Sequence, residues 1–152
     1  MATSLDSVCD LFTTLISDYK LTALYSSSGS SGLNNYLESF LLFSIDEFSD
    51  LCSQDLTYST TTQTFDATLT QKNKNVLAQI MVKYWLQKEL QDVLQMRLHL
   101  QDRDFRSFAE SNNLREKREL YNMKREEISQ MLNDYGYRNF VDWDEWDDQD
   151  FR

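Results

Sequence analysis

The chain contains no proline and only three glycines, Gly29, Gly32 and Gly136. So few breakers in 152 residues favour long helices and disfavour an all-β fold, which needs turn residues at short intervals. The expected class is all-α: a small helical bundle with a long charged C-terminal helix and an extended tail. A chain of this length forms one domain by default and can bury a real core. Its 41% hydrophobic and 26% charged content fits a soluble globular protein.

Apolar spacing marks the elements. Leu5, Val8, Phe12, Leu15, Ile16 and Tyr19 recur at i, i+3 and i+4. They predict a helix from Ser4 to Tyr19 with Ser4 as N-cap, and Leu21–Tyr25 as a continuation or a turn. Ser26–Gly32, SSSGSSG, predicts an exposed loop between helices. It is no phosphate cradle, because no lysine follows at P-loop spacing. Asn34–Cys52 predicts a second helix, apolar over most of its girth through Tyr36, Leu37, Phe40, Leu41, Phe43, Ile45, Phe48 and Leu51, and hence central to the core. Residues 53–68 are rich in Ser and Thr. The alternation of Leu56, Tyr58 and Thr60 there fits a short β-arm as well as a surface loop.

Leu69–Leu100 predicts the strongest helix, with Val76, Leu77, Ile80, Met81, Tyr84, Trp85 and Leu90 on a wide apolar face. Thr68 or Thr70 is its expected N-cap, and Thr68 with Gln71 has capping-box spacing. His99 at its end fits a carbonyl-capping or surface role. Asp104–Glu110 predicts a short helix with Phe105, Phe108 and Ala109 turned inward, with Asn112 and Asn113 interrupting it or capping the next.

Leu114–Tyr135 then organises the C-terminal half. Leu114, Tyr121, Ile128 and Tyr135 fall on one narrow helical stripe that Met131 and Leu132 widen. A helix with so little apolar surface needs a body of other helices, or a neighbouring subunit, to lie on. Gly136 is expected to end it in a left-handed conformation. Arg115, Glu116, Lys117, Arg118, Glu119, Lys124, Arg125, Glu126 and Glu127 cover its remaining surface, with signs that interleave along the sequence and nearly cancel. That balance argues against a DNA-binding helix and for a solvated or inter-subunit face supported by pairs such as Arg115 with Glu119.

The C-terminal segment places Phe140, Trp143, Trp146 and Phe151 among six acids. It is too acidic to fold alone and too aromatic to serve only solubility, which suits a docking tail that orders on a partner; packing on its own domain is the alternative. The expected division is a helical domain over 1–137 and an acidic aromatic tail over 138–152.

Net charge is −10, divided as −8 over residues 1–69, +3 over 70–139 and −5 over 140–152. This layout fits head-to-tail pairing with copies of the chain or with a complementary partner, as well as a simple solvated surface. Cys9 and Cys52 sit among apolar residues and fit buried free thiols. The start, MATSLDSVCD, has neither a basic n-region nor a long apolar run, so no signal peptide is read. FLLF at 40–43 is far too short to span a membrane. Chemistry-bearing motifs are missing. There is no Cys-x-x-Cys, no His cluster, no G-x-S-x-G elbow and no dinucleotide fingerprint. The tail aspartates do not fit an EF-hand loop, since Trp146 stands where a ligand is required. No enzyme activity, metal or cofactor is expected.

The second half resembles head–tail connector (adaptor) proteins of tailed bacteriophages. The residues that carry the likeness are LTQKNKNVLAQIMVKYWLQKEL at 69–90 and QDRDFRSFAESNNLREKRELYNMKREEISQMLNDYGY at 101–137. Within them stand the Tyr84–Trp85 pair, a D-x-D-F turn and N-L-x-E-K near the next helix start. The likeness spans roughly residues 34–137. It implies a helical structural virion protein that forms a ring, typically a dodecamer, under the portal in the virion neck. The ring would extend the channel through which DNA passes without specific binding during genome ejection. Portal and other neck or tail proteins are then the partners, and the protein would be made in the host cytoplasm. On this reading the charged helix supplies the ring contacts, and Phe140, Trp143, Trp146 and Phe151 the docking arm. A small acidic binding module, such as a DNA-mimic inhibitor of a nuclease, is the rival expectation.

Overall fold

The computed structural model describes residues 2–16, 18–99 and 107–140. Their chain order is α1 (Leu5–Leu15), α2 (Tyr19–Ser49), β1 (Tyr58–Ser59), β2 (Thr64–Phe65), α3 (Gln71–His99) and α4 (Ser107–Phe140). The fold is a small all-α bundle with one two-stranded arm, as the breaker-poor sequence implies. The side chains of His99, Phe105, Phe108, Ala109 and Phe140 lie outside the described residues, as do residues 141–152 with Trp143, Trp146 and Phe151.

α3 is the helix that packs against all three others. Its Val76, Leu77, Ala78, Ile80, Met81, Val82 and Trp85 are buried, so both flanks of the helix are covered. α2 was expected at the centre because apolar residues surround it. Its Leu37, Phe40, Leu41 and Phe48 are indeed core, but Leu42 and Phe43 face outward.

α1 buries Leu5, Val8, Cys9 and Phe12 at the expected spacing. It stops at Leu15 rather than Tyr19, because Ile16 is extended (φ −130°, ψ 128°). Asp18 then caps the next helix, its carboxylate accepting from the Lys20 N–H at 2.6 Å. Ser4 holds the N-cap position of α1 without a side-chain cap bond. The chain just before α1 instead pairs with the arm. Phe65 N–H donates to the Thr3 carbonyl (2.8 Å) and Leu5 N–H to that of Gln63 (2.9 Å). The arm itself pairs Tyr58 with Phe65 and Ser59 with Thr64, so residues 58–65, within the 53–68 segment, form a short hairpin. Phe65 is fully buried beneath it.

SSSGSSG does not form a loop. α2 runs through it and breaks at a single residue, Gly29, with φ 69° and ψ −169°. Ser26 and Ser27 stay helical and return their hydroxyls to the carbonyls of Thr22 and Leu24. The break is tight: a side chain at Gly32 would collide with Ser28. Gly29 occupies a backbone region open essentially to glycine alone, so Gly29→Ala is expected to cost about 1–3 kcal/mol even though nothing stands where its methyl would go. Urea unfolding of the variant against wild type checks this.

The α2 segment before Gly29 is tied down by Leu21, which is buried, and by Lys20. The Lys20 ammonium donates to both Glu89 oxygens at 3.0 and 3.1 Å. Beyond the break, Lys83 of α3 donates to Glu47 of α2 at 2.6 Å.

Candidate assembly surface

α4 runs antiparallel to α3, since Tyr135 meets Asn73 near the start of α3 while Lys124 meets Gln79 further along. It is continuous from Ser107 to Phe140. Neither Asn112–Asn113 nor Gly136 interrupts it, against the expectation of a break and a stop. Gly136 has no positive φ and packs its bare face near Leu51. The expected domain boundary near residue 137 therefore falls inside the helix. The expected inward stripe is present: Leu114, Ile128, Leu132 and Tyr135 are buried, and Tyr121 and Met131 half-buried.

Tyr135 is the anchor. Its ring stacks edge-on against Phe48 of α2 at 4.9 Å, and the Lys72 ammonium lies 4.5 Å over its face. Its hydroxyl donates to Asn73 Oδ1 (2.8 Å) and accepts from the Ser53 N–H (3.3 Å). Asn73 passes the network on by donating to Gln54 Oε1 at 2.7 Å. That same oxygen accepts from the Thr70 N–H (2.8 Å), and Thr70 Oγ1 caps the Asn73 N–H (3.3 Å). Thr70 is thus the N-cap of α3, and Gln54 takes the reciprocal role that the sequence assigns to a helix residue in a capping box. One network, buried at Tyr135 and Asn73, joins α4, α3 and the linker after α2. Nothing in local spacing announces it, because its members lie far apart in sequence.

The charged residues of α4 separate once wound on a helix. Arg115, Arg118, Asn122, Arg125 and Ser129 fall in one row. Glu116, Leu120, Met123, Glu127, Gln130 and Asp134 fall in another, and all of these residues are exposed. Glu119 and Glu126, also exposed, lie between the rows. Signs that interleave and nearly cancel along the sequence resolve on the helix into a basic flank and an acidic flank. Lys117 is half-buried. Lys124 is half-buried on the side of the seam, donating to Gln79 of α3 and to Glu127 (3.1 Å). Arg115 holds Glu119 at 3.0 Å in the open. Such an exposed pair adds only a few tenths of a kcal/mol, about the value for i, i+4 helix pairs. On the acidic flank, Leu120 and Met123 are 51% and 67% exposed.

A second surface lies on α2 and α3. Tyr36, Phe40, Phe43 and Tyr84 line an open groove of about 480 Å³ with Lys88 at its rim. Phe43 stacks on Tyr84 at 5.4 Å, and Lys88 lies 5.7 Å over Tyr36. Burial first, and then Glu47, push the Tyr84 phenol up to about 12. Within the aromatic run of α2, Phe40 is core, whereas Phe43 lies outside it.

Among the described residues, no group of three His, Cys, Asp or Glu side chains is placed to hold a metal, and no helix is long and apolar enough to cross a membrane. Both cysteines are free thiols. Burial first, and then Asp6, Asp10 and Glu38, push Cys9 up to about 12. This raised value favours the folded state fully below the ordinary thiol value of 9.0, and the benefit fades as pH rises towards about 12. At neutral pH a maleimide is expected to modify the partly exposed Cys52 and spare Cys9 until the chain unfolds, as peptide mass mapping would read. Equal native labelling of both would contradict the packing of α1.

Comparison of the chain with protein-family models, curated proteins and solved structures returned no match.

Proposed function

We propose that this is a structural, non-enzymatic virion protein of a tailed phage: a head–tail adaptor whose copies form a ring under the portal and extend the DNA channel. The observation that carries the reading is the placement of α4. This helix is held along one seam on α3, and its remaining surface carries two flanks of opposite charge with Leu120 and Met123 exposed. Exposed large apolar residues beside ordered charge are the marks of a surface made to be covered. The resemblance over residues 69–90 and 101–137 supplies the kind of assembly. The acidic aromatic segment beyond α4 is assigned as the arm that docks on the portal or on other neck and tail proteins, through Trp143, Trp146 and Phe151.

The mass of the full-length chain in solution, alone and mixed with portal protein, tests the proposal. The reading expects a multi-copy particle that joins the portal. Deleting residues 141–152 is expected to abolish portal binding while the helical circular-dichroism signal is kept. A chain that stays single with portal present and instead blocks a nuclease is a DNA mimic, and this reading is then wrong.

A further inference from the structure

The ring reading does not say which faces of neighbouring copies meet, but two surfaces of this chain answer each other. On α4, Arg118 and Arg125 are exposed, share one row, and have no ion-pair partner among the described residues. Arg115, which holds the exposed Glu119, extends their row by one turn. On α2, Leu42 and Phe43 are 42% and 57% exposed. Asp46, and Asp50 at the C-cap of α2, follow them on the same side, also without an ion-pair partner among the described residues.

The two rows match in length. Residues 115–125 span about 15 Å of helix and residues 42–50 about 12 Å, at the usual rise per residue. They also match in chemistry. A guanidinium pairs with a carboxylate through its planar fork and stacks that plane on an aromatic ring, so an arginine row fits a face where two Asp follow an exposed Leu and Phe. The wider charge layout points the same way, with −8 over residues 1–69 against +3 over 70–139.

The geometry points to a contact between copies in which the Arg115–Arg118–Arg125 row of one α4 seats on the Leu42–Phe43–Asp46–Asp50 face of the next copy's α2. This inference rests on the ring reading and names its interface. Each copy contributes two different patches, so the contact is heterologous: it repeats from copy to copy and closes into a ring where the rotation allows. Its attraction is electrostatic at the rim, so assembly weakens as salt is raised.

Two full-length variants test it. One carries Arg118→Glu with Arg125→Glu, and the other Asp46→Lys with Asp50→Lys. All four positions are exposed, and circular dichroism and melting temperature check that both variants fold as wild type does. Each variant alone sets like charges face to face, and its assembly is expected to weaken by at least tenfold. Mixing the two in equal amounts sets the acidic α4 of one against the basic α2 of the other, and the wild-type pairing in between. The mixture is therefore expected to regain full-size particles that alternate the two chains, as native mass spectrometry would show. Wild-type assembly by both variants alone overturns the choice of faces and leaves the ring reading standing. A folded mixture that does not assemble overturns it as well. A wild-type chain that stays single, with or without portal, overturns the ring reading and this contact with it.

Discussion

Replacing Tyr135 with alanine is expected to cost about 3–5 kcal/mol, the range for removing a buried aromatic ring. The ring is 3% exposed and touches three parts of the molecule at once: Phe48 of α2, Lys72 of α3, and the linker through Ser53. Tyr135→Phe separates packing from polarity. It keeps the stack on Phe48 and removes the hydroxyl, leaving buried Asn73 Oδ1 without its donor. That change is expected to cost about 1–3 kcal/mol, the penalty for an orphaned buried polar group. Because α4 makes its extended helix contact with α3 alone, the alanine variant should raise amide exchange over α4 well before the other helices. Uniform loss of protection along the whole chain would show that α4 is not a separable layer.

The second large effect is expected at Leu77. It is fully buried on α3, the helix common to every helix pair that packs extensively except α1 with α2. Leu77→Ala is expected to cost about 2–5 kcal/mol, with the upper part of the range applying where the surroundings cannot collapse into the cavity. Here the expected signature is the reverse of that at Tyr135. Protection falls together over α1, α2 and α3, and urea unfolding stays a single transition with a lowered midpoint. A loss confined to α3, or a cost below about 1 kcal/mol, the centre of the range for ordinary substitutions, would show that the core is not organised around this helix.

The sequence was legible where periodicity decides structure. Leu5, Val8 and Phe12 fixed the buried face of α1, and Leu114, Ile128 and Tyr135 the seam of α4. It was misleading where a residue type has two physical uses. SSSGSSG reads as a linker by composition, yet serine hydroxyls can bond back to helical carbonyls, and only Gly29 leaves the helix. Gly136 reads as a stop signal. It tolerates a helical conformation as well, and the seam around Tyr135 carries the helix on to Phe140. α2 reads as a central helix because apolar residues ring it, but Leu42 and Phe43 are left outside.

The surface proposed for assembly was half legible. Its residues were named, but as a run of cancelling signs. Winding them at the helical repeat separates Arg118 and Arg125 from Glu116, Glu127 and Asp134, and the bond from Lys124 to Gln79 removes one cation from the set. The complementary α2 face could not be read at all before burial was known, since nothing in the run FLLFSIDEF distinguishes Phe43 from Phe40.

The central claim is that this chain is built to be one copy among several. The most direct measurement is the mass and symmetry of the full-length protein with portal, by light scattering and electron microscopy of the same sample. The account predicts a closed ring of identical copies seated on the portal. A single copy at every concentration, with no mass added to the portal, would contradict it.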